Sequence, residues 1–390
     1  MASSVRNIVV TTSPGIERML ADEIKGLCVG SSVHILPGKG VVCSTAAEIK
    51  GDVAGASLPM WKTCLLSRLA ETVKVRLVEP TFCQWEKHLT EVANNAPWRN
   101  FIPLHAPIPE FKVKTNKSRL FHPLHVAKVV EEVLTHKRSN ARHSQLNSDT
   151  LDTVDGVSSP SVSVSIDEDE LEMLVDAEGG LNDRCRQGKL SHAALAAVII
   201  KTGCLNSGLV WDPFCNDGSF MVEAAAMSSG LPVGSPTLPY PFTMYPTHAP
   251  ESFRELIEQL HLRPHAQPPT LIGSDFDVSV ANEALSRMIS TAPRPVTSSK
   301  VLASKVEFTN EPMVQVARRV SGGTIVTVLP DNLTRQAMLE FVDVIKLKWK
   351  GVYVMVPRTS KFRASSGLDW RPELRVTCQL GRLYELLRLC

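Results

Sequence analysis

The chain has 390 residues, 43% hydrophobic and 21% charged, with 42 basic against 40 acidic side chains for a formal net charge of +2. This length predicts two to three domains, and the near-neutral balance excludes a chain-wide polyanion-binding surface, so that any nucleic-acid contact must be local. No apolar run approaches the ~18 residues of a membrane span, the nine scattered cysteines show no zinc spacing, the histidines are dispersed, and Met1-Ala-Ser-Ser-Val-Arg carries no signal-peptide core. The expectation is a cytoplasmic protein with reduced thiols and no metal site, a mitochondrial location being left open.

In chain order, Asn7-Ile-Val-Val-Thr-Thr predicts a strand, and Ser13-Pro-Gly-Ile-Glu-Arg-Met-Leu-Ala-Asp-Glu-Ile a helix capped by Ser13 with Pro14 in its first turn. Val33-His-Ile-Leu and Gly40-Val-Val-Cys predict two strands, which makes the opening segment a small α+β unit. Ser67 to Ala96 reads as a strand pair and a helix, Glu110 to His122 as a strand running into a basic turn, and Pro123 to Lys137 as an amphipathic helix. Arg138 to Pro160, rich in Ser, Asn, Asp and Thr, reads as a mobile surface insertion. Ser161-Val-Ser-Val-Ser-Ile is a strand of strict period two. From Leu190 onward, apolar helices alternate with β-branched runs at Leu209, Leu271, Val301, Thr324 and Val352, the rhythm of a doubly wound, mostly parallel α/β sheet.

The most specific segment lies between Leu209 and Ala226, where an apolar strand ends in Asp212-Pro-Phe-Cys-Asn-Asp-Gly and an Ala-rich helix begins. A second strand ends in an acid at Leu271-Ile-Gly-Ser-Asp-Phe-Asp. In a parallel sheet such a turn lets backbone N–H groups approach a ligand, and the acid at the end of the next strand accepts hydrogen bonds from ribose hydroxyls. The dinucleotide fingerprint Gly-x-Gly-x-x-Gly is absent; Gly218 is the one obligatory turn glycine. An acid beside it suits a zwitterionic amino-acid end, which favours S-adenosylmethionine over NAD.

These residues together resemble the THUMP-containing, Rossmann-fold, S-adenosylmethionine-dependent RNA methyltransferases, a group that includes enzymes acting on guanine N2. The resemblance covers nearly the whole chain. Ser13 to Ile24 is similar to the family's ferredoxin-like opening helix, and Phe111-Lys-Val-Lys with Lys117, Arg119 and His122 to the core of the THUMP module. Gly180-Leu-Asn-Asp-Arg-Cys-Arg resembles Gly-x-Leu-x-x-Arg-x-Tyr-Arg, with Cys185 in place of the aromatic, and the segment from Lys189 resembles the helix that follows it. Asp212-Pro-Phe-Cys-Asn-Asp-Gly-Ser matches Asp-Pro-Met-Cys-Gly-Ser-Gly-Thr. The resemblance implies a ferredoxin-like unit over 1–65, a THUMP module over 66–180 holding the insertion near 138–160, and a Rossmann methyltransferase domain over 181–390.

It further implies cofactor contacts from Asp212, Pro213, Asn216, Gly218, Asp275, Asp277 and Asn310, and contacts to structured ribosomal or transfer RNA from Lys112, Lys114, Lys117, Arg119, Lys128, Arg184 and Arg186. Several of these positions have plainer readings: Asp277 as a helix cap, Arg184 and Arg186 as ordering the linker, the lysines as a solvated face. Glu311 shares the place of Asn310, and Cys215 reads as a small buried thiol. The chain departs from the family at Asn216, at Asp217, and above all after the fourth strand. There the family's Asn/Asp-Pro-Pro-Tyr/Phe is replaced by Val328-Leu-Pro-Asp, which leaves Pro330 and Asp331 as the expected catalytic pair and supplies no aromatic to stack the base. The expected activity is methyl transfer to RNA, with guanine N2 favoured. The alternative is a silent descendant that binds RNA or helps assemble a ribosomal particle, and a partner subunit is left open.

Overall fold

Strands of alternating burial build the first half of the molecule. The computed structural model describes residues 7–45, 53–145, 159–179, 190–235, 238–260, 267–291, 305–378 and 381–390. Strands β1 (Asn7–Thr11), β2 (Ser32–Leu36), β3 (Gly40–Ser44), β4 (Thr72–Phe82), β5 (Phe111–Asn116), β6 (Val162–Asp167) and β7 (Glu170–Asp176) form one sheet, ordered β2-β3-β1-β4-β7-β6-β5. Every ladder is antiparallel except that of β5 with β6. Val73, Val75, Val162, Val164, Leu171 and Met173 point to a core shared with α1 (Glu17–Leu27), α2 (Val53–Leu66), α3 (Glu86–Asn95) and α4 (Pro123–Gln145). The opposite face carries Lys74, Lys112 and Lys114 beside Ser163 and Ser165, as expected of an antiparallel sheet covered on one side only.

Local readings differ from this structure in identifiable ways. The strand pair expected within Ser67–Ala96 is a single long strand, β4, whose ladder with β7 is interrupted between Arg76 and Thr81 around Pro80, a residue with no N–H to donate. Helix α2 was not foreseen, because its apolar residues lack helical periodicity and Pro59 sits inside it. Residues 138–145 continue α4 instead of beginning an insertion, and 146–158 lie outside the described residues.

The second half is a three-layer unit. Strands β8 (Leu209–Asp212), β9 (Thr270–Ser274), β10 (Val306–Thr309), β11 (Thr324–Val328), β12 (Gly351–Pro357), β13 (Trp370–Thr377) and β14 (Leu383–Leu389) are ordered β10-β9-β8-β11-β12-β14-β13. The first five run parallel, and β14 is antiparallel to both its neighbours. The run expected at Val301 becomes β10, which starts at Val306; residues 301–304 lie outside the described residues. Helices α5 (His192–Thr202), α6 (Ser219–Ser228), α7 (Pro250–Gln259) and α8 (Ser279–Thr291) pack on one face through the larger core. Helices α9 (Met313–Val320), α10 (Arg335–Ile345) and α11 (Phe362–Ser365) pack on the other through a second core centred on Phe341, Phe362 and Trp370.

The two halves share the larger core. Helix α5 is buried continuously from His192 to Ile199, and the Ala70 carbonyl accepts a hydrogen bond from His192 Nε2 at 3.0 Å. Arg68 crosses to Glu223 at 2.6 Å, with side chains 11% and 5% exposed, and also donates to the Leu231 carbonyl. Ser13 was expected to cap α1, yet that helix begins at Glu17 without a side-chain cap. Ser13 instead contacts the Ser191 hydroxyl at 2.8 Å and donates to Glu71, so a partner distant in sequence overrides the local cap signal. Gly15 follows at φ +108°, where a Cβ would lie 2.1 Å from the Arg375 carbonyl oxygen.

Candidate active site

Strands β8 and β11 are neighbours whose following helices, α6 and α10, lie on opposite faces of the sheet. Their carboxyl ends therefore diverge, and a crevice opens at this switch point. It measures about 480 Å³ and is lined by Asp212, Asp217, Asp275, Phe276, Pro330 and Asn332 among others, with no Lys or Arg among the described residues.

The turn from β8 to α6 forms half of the crevice wall. Asn216 takes φ +49° and Gly218 φ +75°, so the asparagine occupies the left-handed conformation that the family's glycine would. Asn216 donates its N–H to Asp275 at 2.8 Å, and the other Asp275 oxygen accepts the Phe276 N–H at 2.7 Å. Two backbone donors thus fix the Asp275 carboxylate at the end of β9, leaving its remaining lone pairs for a ligand. Asp217 turns to cap α6, accepting the Ser219 N–H at 3.1 Å and its hydroxyl at 2.8 Å. A Cβ on Gly218 would lie 2.7 Å from Ala281 Cβ, so the close approach of α8 and the positive φ both require glycine.

Asp212 is 2% exposed at the floor of the crevice. It accepts the Thr327 hydroxyl at 2.6 Å and the Phe214 N–H at 3.1 Å. Burial pushes its carboxyl up to about 7 against the pull of those two donors, and the nearby Asp275 and Asp217 add to the rise. Burial also holds the Cys215 thiol well above its ordinary range, in keeping with a packed thiol and not a nucleophile. The eight described cysteines form no disulfide with one another.

The loop after β11 forms the opposite wall. Leu329 donates its N–H to Met355 at 3.0 Å, the Pro330 carbonyl accepts the Leu333 N–H at 3.3 Å, and Thr334 caps α10. Asp331 lines an adjoining cleft and pairs with Arg382 at 3.3 Å, whereas Asn332 lines the crevice. Pro330 borders both spaces. Asn332 escaped the sequence reading because the resemblance puts the acceptor position at Val328, earlier in the same loop; its carboxamide was the available signal.

Other expected contacts are dispersed. Asp277 accepts the Ser279 N–H at 2.9 Å, a cap of α8 that holds its carboxyl below the usual range, and it does not line the crevice. Asn310 is exposed just past β10, next to Thr309, whose carbonyl accepts the Asp275 N–H at 3.2 Å. Phe276, unremarked in the sequence, is 97% exposed at the crevice mouth. Lys112 and Lys114 share the open face of β5, while Lys117, at φ +45°, and Arg119 lie in the turn beyond it. Arg119 stacks over Trp85 at 4.7 Å, and Phe82, Trp85 and Phe121 are all more than half exposed. Lys128 sits apart on α4, paired with Glu132 at 3.7 Å. Arg184 and Arg186 lie outside the described residues. Among the described residues no helix is long and apolar enough to cross a membrane, and no group of His, Cys, Asp and Glu side chains is placed to hold a metal ion.

No family model matches the chain. It is 26% identical over 257 residues to the ribosomal RNA large subunit methyltransferase K/L of Hahella chejuensis, a match covering 63% of this chain and 33% of that protein. The chain thus spans about a third of the length of the curated relatives it matches. Its fold superposes on that of a possible methylase from Clostridium difficile with a TM-score of 0.74 at 17% identity, covering 98% of this chain and 97% of that one. A TM-score of 0.71 at 17% identity relates it to SMU.472, a methyltransferase complexed with S-adenosylhomocysteine, over 98% and 97% of the two chains. With the β8 turn, the β9 acid and the strand order all in place, the chain shares the Rossmann-like fold of these solved structures and is similar in sequence to the ribosomal RNA large subunit methyltransferases K/L.

Proposed function

We propose that this chain transfers a methyl group from S-adenosylmethionine to a base of structured RNA in the cytoplasm, with ribosomal RNA favoured by the names of the relatives and guanine N2 by the family resemblance of the sequence. The observation that carries the reading is the crevice at the switch point, where a turn N–H holds the β9 carboxylate toward the ligand space. Its residues fit the cofactor: the three acidic side chains of the lining favour a sulfonium and an ammonium, the Asp275 lone pairs suit ribose hydroxyls, and exposed Phe276 offers a face for adenine. When bound, the cofactor supplies an electrophilic methyl group.

The chain's own part is positioning. An exocyclic amine is a weak nucleophile, and acceptors for its hydrogens align its lone pair with the methyl group. The Pro330 carbonyl and the Asn332 carboxamide border the crevice and suit that role, with Asp331 acting from the adjoining cleft. In this reading the open face bearing Lys112 and Lys114, the turn with Lys117 and Arg119, and Lys128, Arg184 and Arg186 contact RNA backbone. The division into a ferredoxin-like unit, a THUMP module and a methyltransferase domain is part of the same proposal.

A second reading, an RNA-binding or assembly factor without transfer, is favoured by one observation: the loop 328–332 holds no aromatic side chain for stacking a flipped base. Calorimetry with S-adenosylhomocysteine and a labelled-methyl assay on ribosomal and transfer RNA separate the readings. Binding with transfer that falls at least ~10²-fold in Asn332→Ala supports the enzyme. Binding without transfer supports the silent factor, and no binding at millimolar ligand overturns both assignments of the crevice.

A further inference from the structure

Two cavities of opposite charge meet at the loop 329–333. The second, about 830 Å³, opens at the same carboxyl edge of the sheet, between the turn after β12 and the start of β14. Its basic lining is Arg358, Lys361 and Arg382, and among the described residues its one carboxylate is Asp331. The three cations are spread along the sequence and converge because β12 pairs antiparallel with β14, the Arg358 N–H reaching the Leu383 carbonyl at 2.8 Å. Leu329, Pro330 and Leu333 line both spaces, so this loop stands between the basic cleft and the acidic crevice.

We propose that this cleft binds the phosphodiester backbone of a single RNA strand beside the nucleotide presented to the crevice. The proposal rests on the methyltransferase reading for the identity of that nucleotide, but not for the binding itself. Guanidinium groups suit phosphate because their planar donors pair with two oxygens at once. The Arg382–Asp331 pair, 62% and 38% exposed, is a weak surface contact that a phosphate can displace. A duplex is a poorer occupant, since the target base must leave its stack to reach across Pro330. The segregation of charge also assigns each ligand its place, the cationic cofactor to the carboxylates and the polyanion to the arginines and lysine.

The test uses the full chain and a single-stranded RNA of ~10 nucleotides, within the range such grooves accept. Lys361 is labelled with an amine-reactive acetylating reagent and quantified by mass spectrometry, with and without RNA, and with inorganic phosphate at equal phosphate concentration. Protection by RNA and not by inorganic phosphate is expected; protection by both would indicate a simple anion site and overturn the strand assignment. Arg358→Ala combined with Lys361→Ala should lower the slope of log affinity against log salt by about 1.4, two contacts at ~0.7 each. The exchange Arg358→Lys with Lys361→Arg should restore that slope. An unchanged slope together with unprotected Lys361 overturns the cleft. Calorimetry with S-adenosylhomocysteine reports separately: if that ligand fails to bind while Lys361 is still protected, the methyltransferase reading fails and the strand site stands.

Discussion

Replacing Asp212 by Asn should stabilise the protein, and by an amount that depends on pH. The carboxyl is raised from 3.8 to about 7 in the folded protein, mainly by burial. Between those two values the folded state binds a proton that the unfolded chain has released, so stability falls as pH rises through this window. At 1.36 kcal/mol per pKa unit the full loss above pH 7 is about 4 kcal/mol, an upper bound for a single group. An asparagine oxygen still accepts from the Thr327 hydroxyl and the Phe214 N–H, so the substitution removes the titration and keeps the hydrogen bonds. Urea unfolding of wild type and Asp212→Asn at intervals between about pH 5 and pH 8 gives the difference directly, because the other titrating groups largely cancel. The expected curve is a variant advantage that grows from about pH 4 and levels off above pH 7. A difference that stays flat with pH, or a variant less stable at pH 8, would refute the argument that this carboxylate is held buried at a cost.

Three further outcomes follow from the same geometry. Gly218→Ala should cost at least ~2 kcal/mol, since it combines a positive φ with a 2.7 Å approach to Ala281, and S-adenosylhomocysteine binding should fall with it; unfolding midpoints and calorimetry check both. Phe276→Ala should leave the unfolding midpoint unchanged, because the ring is 97% exposed, while lowering cofactor affinity by roughly 1–3 kcal/mol; equal affinity would remove the ring from the site. Arg68→Ala should destabilise by about 3–5 kcal/mol, because it removes the guanidinium partner of the buried Glu223, and adding Glu223→Gln should recover part of the loss in urea unfolding.

What the sequence disclosed and what it hid have a common physical basis. The β8 turn, the β9 acid and the doubly wound half were legible because each rests on neighbours in the chain: an apolar run, a residue free to take positive φ, an acid at a strand end. Helix α2 was hidden because a helix buried on many sides loses its polar stripe. Ser13 carried a sound cap signal and was claimed by Ser191 and Glu71, both far along the chain. Asp277 capped α8, the plainer of its two readings, and its contact with the cofactor is left to experiment. The basic cleft was unreadable, since only the ladder of β12 with β14 gathers Arg358 and Arg382 on one wall.

The shared core between the halves carries a consequence for substrate choice. A continuously buried α5, the Arg68–Glu223 bridge and the Pro14–Thr377 backbone contact tie the lysine-bearing sheet to the half that holds the crevice, among the described residues. These ties set the two at one spacing, like the jaws of a caliper. Under the proposed function, an RNA is measured before it is read. A candidate base qualifies only if the fold around it puts an anchoring backbone at the span the protein already holds, so a change of a few nucleotides in that spacing should exclude a substrate whose local sequence is unaltered.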